Sequence, residues 1–169
     1  TSRTLLVPGK SKHPRAPRQE VLAALRLRRS GVHGKGVYTT RLIRKGTRII
    51  EYTGAHIPRK QARKLPPHDP QNPSHTFYYS LENGDVIDAG NGGNAARWIN
   101  HSCEPNCTTE EEDKRIFVHA LRTIYPGEEL FYDYSIVPGE RRTKAVEKAY
   151  ACLCGSPLCR GSLLAPMRT

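Results

Sequence analysis

A chain of 169 residues and 19.0 kDa supplies one domain with one modest core and is too short for two. Apolar residues make up 37% and aromatic residues 7%, and no apolar run approaches the roughly 18–20 residues of a membrane span. The formal charge of +11 favours acidic partners, and the N-terminal stretch has scattered prolines and bases where a secretory signal would have an apolar core, so an intracellular setting is expected.

Residues 1–22 lack periodicity and read as a flexible basic tail. Up to residue 30, eight Lys/Arg face one acid (Glu20), a net +7. The apolar, basic stretch Val21–Arg29 leads into a short strand. Gly31 to Tyr38 is a glycine-punctuated turn between extended segments, and Arg41 to Gly46 is a loop. Thr47–Tyr52 is β-branched and reads as a strand ended by Gly54. Pro58–Leu65 suits a short basic helix stopped by Pro66-Pro67, followed by a proline-rich loop to residue 75. Residues 31–64 add nine bases against one acid (Glu51), a net +8. Thr76–Leu81 and Asp85–Ala89 form a hairpin around Glu82-Asn83-Gly84. Asn91–Asn94 is irregular, Arg115–Leu121 alternates as a strand, Tyr125–Glu128 turns, and Leu130–Tyr134 is the next strand. Residues 65–135 carry four Lys/Arg and twelve Asp/Glu, a net −8, and the last stretch returns +4. Short strands with few short helices and no internal repeats predict a mostly β fold. The charge pattern suits a protein that touches a polyanion through its basic flanks and holds a basic peptide against its acidic centre.

All five cysteines lie at or beyond residue 103. Without a secretory context, clustered thiols read better as metal ligands than as disulfides. Cys152-x-Cys154-x4-Cys159 supplies three ligands of a tetrahedral zinc site, and the fourth must come from Cys103 or Cys107, between which spacing does not choose. Gly34-x-Gly36 lets backbone approach a ligand closely but lacks the spacing of a phosphate loop. Tyr132 and Tyr134 fall on one side of a strand, as a core stripe would. Asn100-His101, beside Trp98-Ile99, reads by default as a satisfied buried polar pair.

Taken together these segments are more specific. His33-Gly34-Lys35-Gly36-Val37-Tyr38, Glu51-Tyr52-x-Gly54, Asn94-x-x-Arg97-Trp98-Ile99-Asn100-His101-Ser102-Cys103-Glu104-Pro105-Asn106, Gly127-Glu128-Glu129-Leu130-x-Tyr132-Asp133-Tyr134 and the final cysteine motif run in order. Over residues 24–162 the chain resembles the SET-domain protein lysine methyltransferases that carry a post-SET zinc module. The run Asn94 to Cys107 is most similar to the trithorax branch, whose members modify the tail of histone three. The resemblance implies a SET domain over 23–136 and a post-SET segment over 137–165. Its fold is a set of small β-sheets closed by a C-terminal pseudoknot.

The resemblance further implies the activity and its residues. The enzyme would use S-adenosylmethionine to methylate lysine in a basic protein tail, with the histone-three lysine nearest the N-terminus favoured. Tyr134, Tyr132, Asn100 and His101 match the catalytic positions. The methyl donor would be held by Lys35, Gly36, Val37, Tyr52, Arg97, Asn100, His101 and Tyr134, with Leu153 an apolar contact from the closing tail. Cys103 would complete one structural Zn2+ site with Cys152, Cys154 and Cys159, leaving Cys107 a spare thiol. Tyr132, where relatives carry Tyr or Phe, resembles enzymes that stop at one or two methyl groups. Phe77 departs from the pattern, standing where relatives have a channel tyrosine, and only a shifted register or a bulge would bring Tyr78 in. The expected protein is a monomer without membrane contact, with its basic flanks on nucleosomal DNA. It would act in a nucleus, its own or a host's, or on a protein of a bacterial cytoplasm. The competing readings are a silent peptide-binding module of the same fold and a zinc-containing nucleic-acid binder.

Overall fold

The computed structural model describes residues 14–167 other than Pro73. Most of the tail expected at the N-terminus lies outside the described residues. Its last part instead enters a short helix, α1 (Gln19–Ala23), whose Val21 and Leu22 pack on the core together with Leu25. Leu25–Arg29 (β1) and Lys35–Thr39 (β2) form an antiparallel ribbon in continuous register from Leu25↔Thr39 to Arg29↔Lys35.

Two three-stranded sheets follow from the alternation of β-branched and polar residues. Arg48–Tyr52 (β3), Cys107–Glu112 (β8) and Arg115–Ala120 (β9) assemble in the order β3-β9-β8. Ala55–Ile57 (β4), Tyr78–Ser80 (β5) and Val86–Asp88 (β6) assemble as β4-β6-β5. The helix α2 covers only Arg59–Ala62 of the predicted span, with Gln61 N–H returning to the Pro58 carbonyl. The β5–β6 hairpin turns as expected, with Gly84 at φ +88°, a conformation that glycine adopts without a Cβ penalty. β8 escapes the sequence reading because CTTEEE is half acidic. It is an edge strand paired only with β9, where exposed charge is normal.

The decisive element is a two-residue parallel pair. A 3₁₀ turn at Ala95–Trp98, capped by the Asn94 side chain on the Ala96 N–H, delivers Asn100–His101 (β7). β7 pairs in parallel with Phe131–Tyr132 (β10), the part of the expected 130–134 strand that is regular. The Asn106 side chain fastens this pairing, donating to the Glu129 carbonyl at 2.8 Å and accepting from the Phe131 N–H at 2.8 Å. The last helix, α3 (Lys144–Ala149), has the Thr143 side chain accepting from the Val146 N–H. Its polar sequence buries only Val146, so its period was too faint to predict it.

The core draws on β2, β3, β6, β9 and the segments beside the parallel pair: Val37, Ile49, Ile99, Val118, Ile124 and Leu130 are essentially inaccessible. Among the described residues no helix is long and apolar enough to cross a membrane. Leu130 sits where β2 meets the parallel pair, its N–H on the Val37 carbonyl at 2.7 Å. Leu130→Ala is therefore expected to cost about 2–5 kcal/mol of stability, read as a lowered midpoint in denaturant unfolding with an unchanged slope.

Candidate active site

The β1–β2 turn, Asn72 with residues 74–77, the 97–101 segment and the 148–154 segment converge on a cavity of about 450 Å3. Lys35, Arg97, Asn100, His101, Tyr134 and Leu153, all singled out in the sequence, lie on its wall. Gly36, Val37 and Tyr52, also singled out, are buried and do not line it. Among the described residues no Asp or Glu lines it, whereas Lys35, Arg97 and Lys148 do. Trp98 carries two of these cations on its ring, with Lys35 Nζ at 4.9 Å and the Arg97 guanidinium at 5.0 Å. Arg97 reaches the Ala89 carbonyl through one nitrogen, but its buried Nε has no partner among the described residues.

Glu129 organises the wall and was not singled out in the sequence. Its Oε1 accepts from Ser30 Oγ at 2.7 Å and Asn100 Nδ2 at 3.1 Å, and its Oε2 accepts from the Tyr38 hydroxyl at 3.0 Å. Asn100 Nδ2 also donates to the Lys35 carbonyl at 2.8 Å. This packing needs a glycine at position 36, because a Cβ there would stand 2.1 Å from Glu129 Oε1.

Next to the cavity is a cage of four tyrosines. Tyr134 lies 5.0 Å from Tyr132 between ring centroids, Tyr132 lies 6.5 Å from Tyr79, and Tyr79 lies 5.3 Å from Tyr52. Tyr134 belongs to both chambers, since it also lines the cavity. Its hydroxyl donates to the Ile99 carbonyl at 2.7 Å, and that of Tyr52 donates to the Phe77 carbonyl at 2.8 Å. Burial pushes all four phenols above their ordinary pKa, so the cage is neutral. Such buried, neutral surroundings disfavour an ammonium relative to the neutral amine.

Below lies the cysteine cluster. The sulfurs of Cys103, Cys152, Cys154 and Cys159 all lie within 4.8 Å of one another. Cys103 stands 3.8 Å from Cys152 and 3.9 Å from Cys159. Four thiolates about 2.3 Å from one tetrahedral zinc would be about 3.8 Å apart. Backbone N–H groups of Cys154, Arg160 and Gly161 point at the sulfurs of Cys152, Cys103 and Cys159. Cys107 is remote from this set and buried, its thiol pushed up to about 12 by that burial. Of the two candidates left by spacing, Cys103 is the one that joins the other three cysteines in a group that could hold a metal ion.

His101 joins the cluster to the cage. Its Nδ1 accepts from the Tyr134 N–H at 3.0 Å and its Nε2 faces the Cys103 sulfur at 3.3 Å. Burial lowers its pKa to about 4, which keeps the ring neutral and leaves Nε2 as the donor. Arg160 makes the second link, gripping Asp133 with two bonds of 2.7 and 2.9 Å while its own N–H points at Cys103.

A cation-lined cavity thus shares one tyrosine with a cluster of neutral phenols, on small sheets joined by a parallel pair. Residues 34–135 match the SET domain family, and the chain belongs to it. It is 38% identical over 159 residues to the histone-lysine N-methyltransferase trr of Drosophila melanogaster, an alignment covering 91% of this chain and 6% of that protein. Over 144 residues it is 38% identical to the H3 lysine-4 specific histone-lysine N-methyltransferase of Neurospora crassa, covering 80% and 10%. It is also 38% identical over 136 residues to the human histone-lysine N-methyltransferase 2B, covering 78% and 5%. The chain thus spans a small fraction of the length of these relatives.

Gly36→Ala is expected to push the Glu129 carboxylate out of its three hydrogen bonds and to lower stability by about 1–3 kcal/mol. Chemical unfolding of the variant against the parent chain measures this.

Proposed function

We propose that this chain transfers methyl groups from S-adenosylmethionine to a lysine amine in a basic protein tail. The histone-three tail, at the lysine nearest its N-terminus, is the favoured substrate. The observation that carries this reading is the placement of Tyr134, which lies on the wall of the donor-sized cavity and in the tyrosine cage at once.

The residues present suit the donor. Arg97, with its buried unpartnered Nε, and Lys35 suit its carboxylate, and Trp98 and the 71% exposed Leu153 suit its purine. When bound, the donor supplies a sulfonium methyl carbon, to which the amine lone pair bonds as the carbon–sulfur bond breaks. The cage readies the amine. At pH 7 a free lysine of pKa about 10.4 is neutral in only ~0.04% of molecules, a handicap of about 4.6 kcal/mol, and burial among neutral phenols reduces it. The Tyr132 hydroxyl, on the ring beside Tyr134, is read as accepting from the amine. The Ile99 carbonyl and the Tyr134 hydroxyl fix the wall through which the methyl passes. The four converging cysteines are read as holding one structural Zn2+ that takes no part in the transfer.

Charge supports the partners. Among the described residues, Arg48 is the only Lys or Arg between positions 14 and 64 whose side chain pairs with a carboxylate, that of Glu112. Apart from Lys35 on the cavity wall, the remaining bases of that segment are left for a polyanion, and nucleosomal DNA fits. Action on chromatin follows from this reading. A silent peptide-binding module is favoured by one observation, the phenyl group of Phe77 on the cavity wall.

Core histones incubated with the chain and S-adenosylmethionine are expected to gain one or two methyl groups at one lysine by mass spectrometry. Tyr134→Phe is expected to lower the rate about 100-fold or more, and Tyr132→Phe to shift the product toward more methyl groups. Donor binding without any methylation of histones or other basic tails would leave the silent module. The purified chain is expected to carry one zinc, lost in Cys103→Ser and retained in Cys107→Ser by elemental analysis.

A further inference from the structure

The run Phe77-Tyr78-Tyr79 holds the departure noted in the sequence, and the hairpin decides what each ring does. Tyr78 stands opposite Asp88, Tyr79 opposite Ile87 and Ser80 opposite Val86, with no bulge. Tyr78 is therefore not brought inward. Its hydroxyl donates to the Pro66 carbonyl at 2.7 Å and its ring lies 4.0 Å from His68. Phe77 and Tyr79, two residues apart, share the other face. Phe77 packs edge-on to Trp98 at 5.1 Å on the cavity wall and offers no hydroxyl. Tyr79 packs between Tyr52 and Tyr132, and its hydroxyl meets Thr109 Oγ1, on β8, at 2.6 Å.

We propose that Tyr79 is a specificity-determining residue of the amine pocket, held against Tyr132 by Thr109, and that it restores two positions further along the strand the hydroxyl absent from Phe77. This rests on the methyltransferase reading above. The chemistry concerns room and hydrogen bonds. A lysine amine approaching for its first methyl group has two N–H groups and a lone pair. Each added methyl removes an N–H and adds the volume of a methyl group, which a cage narrowed by two phenols resists. The 2.6 Å contact keeps the Tyr79 ring from swinging away from Tyr132 to make that room. Thr109 acts only through Tyr79 and is a positioning residue. Neither side chain lines the cavity, so neither contributes to donor binding.

The test compares the parent chain with Tyr79→Phe and Thr109→Val on a histone-three tail peptide. Methyl groups per lysine are counted by mass spectrometry at matched turnover, and S-adenosylmethionine affinity is measured alongside. Both variants are expected to raise the ratio of multiply to singly methylated product by about 10-fold, with donor affinity unchanged. If Tyr79→Phe does not fold, Thr109→Val alone carries the test. A uniform loss of rate at an unchanged ratio overturns the inference and leaves Tyr79 a structural residue. A parent chain that already adds three methyl groups overturns it as well. A parent chain that binds donor but methylates no basic peptide fails at the earlier step and refutes the methyltransferase reading itself.

Discussion

Two residues of parallel strand hold the site together. Asn100–His101 against Phe131–Tyr132 is too short a ladder to be stable by its own hydrogen bonds. Asn106 stabilises it by satisfying a carbonyl and an N–H on the opposite segment. Fully buried Leu130 and Ile99 support it from the core. Once the pair forms, the rest of the site follows by geometry. Asn100 meets the β1–β2 turn through the Lys35 carbonyl, His101 receives the Tyr134 N–H, and Ile99 offers its carbonyl to the Tyr134 hydroxyl. Segments more than sixty residues apart in the chain thus become one wall.

Electrostatics separate the two chambers. The carboxylates nearby are each committed: Glu129 to Ser30, Tyr38 and Asn100, and Asp133 to Arg160. The cavity wall keeps its cations without an acid among the described residues to neutralise them. The cage keeps its four phenols protonated by burial. An anionic group is thus favoured in one chamber and a cation disfavoured in the other. On the methyltransferase reading proposed above, that arrangement suits an amine nucleophile meeting a donor with a carboxylate end.

The local signals of the sequence were legible where a short rule governs them. The hairpin at Glu82-Asn83-Gly84 and the strand over 115–120 follow from turn chemistry and alternation. So does the convergence of three cysteines on a fourth, although spacing stopped short of choosing Cys103. The β7–β10 pairing was legible only through resemblance, because no period in Asn100-His101 announces a partner thirty residues on. Glu129 was quoted within a motif, yet its role depends on the space left by Gly36, a fact of three dimensions. Tyr79 was passed over because alternation shows that Phe77 and Tyr79 share a face without saying what that face meets.

The C-terminal segment raises a separate physical problem. After Tyr134 it buries few residues, chiefly Val146, Ser162 and Leu164, while Leu153 and Leu158 stand 71% and 72% exposed. So little buried apolar area cannot offset the entropy of ordering some thirty residues. What ties it down instead is the bridge of Ile136 to Leu164, the Arg160–Asp133 pair and the convergence of Cys152, Cys154 and Cys159 on Cys103. Cys103 follows His101 by two residues, and Asp133 lies between the two cage tyrosines. Ligation at the cysteines would therefore stabilise the parallel pair as well as the tail. The order of the C-terminal segment and the packing of the tyrosines are in this way coupled through the same few atoms, so loss of the cluster would loosen the tyrosines as well as the tail.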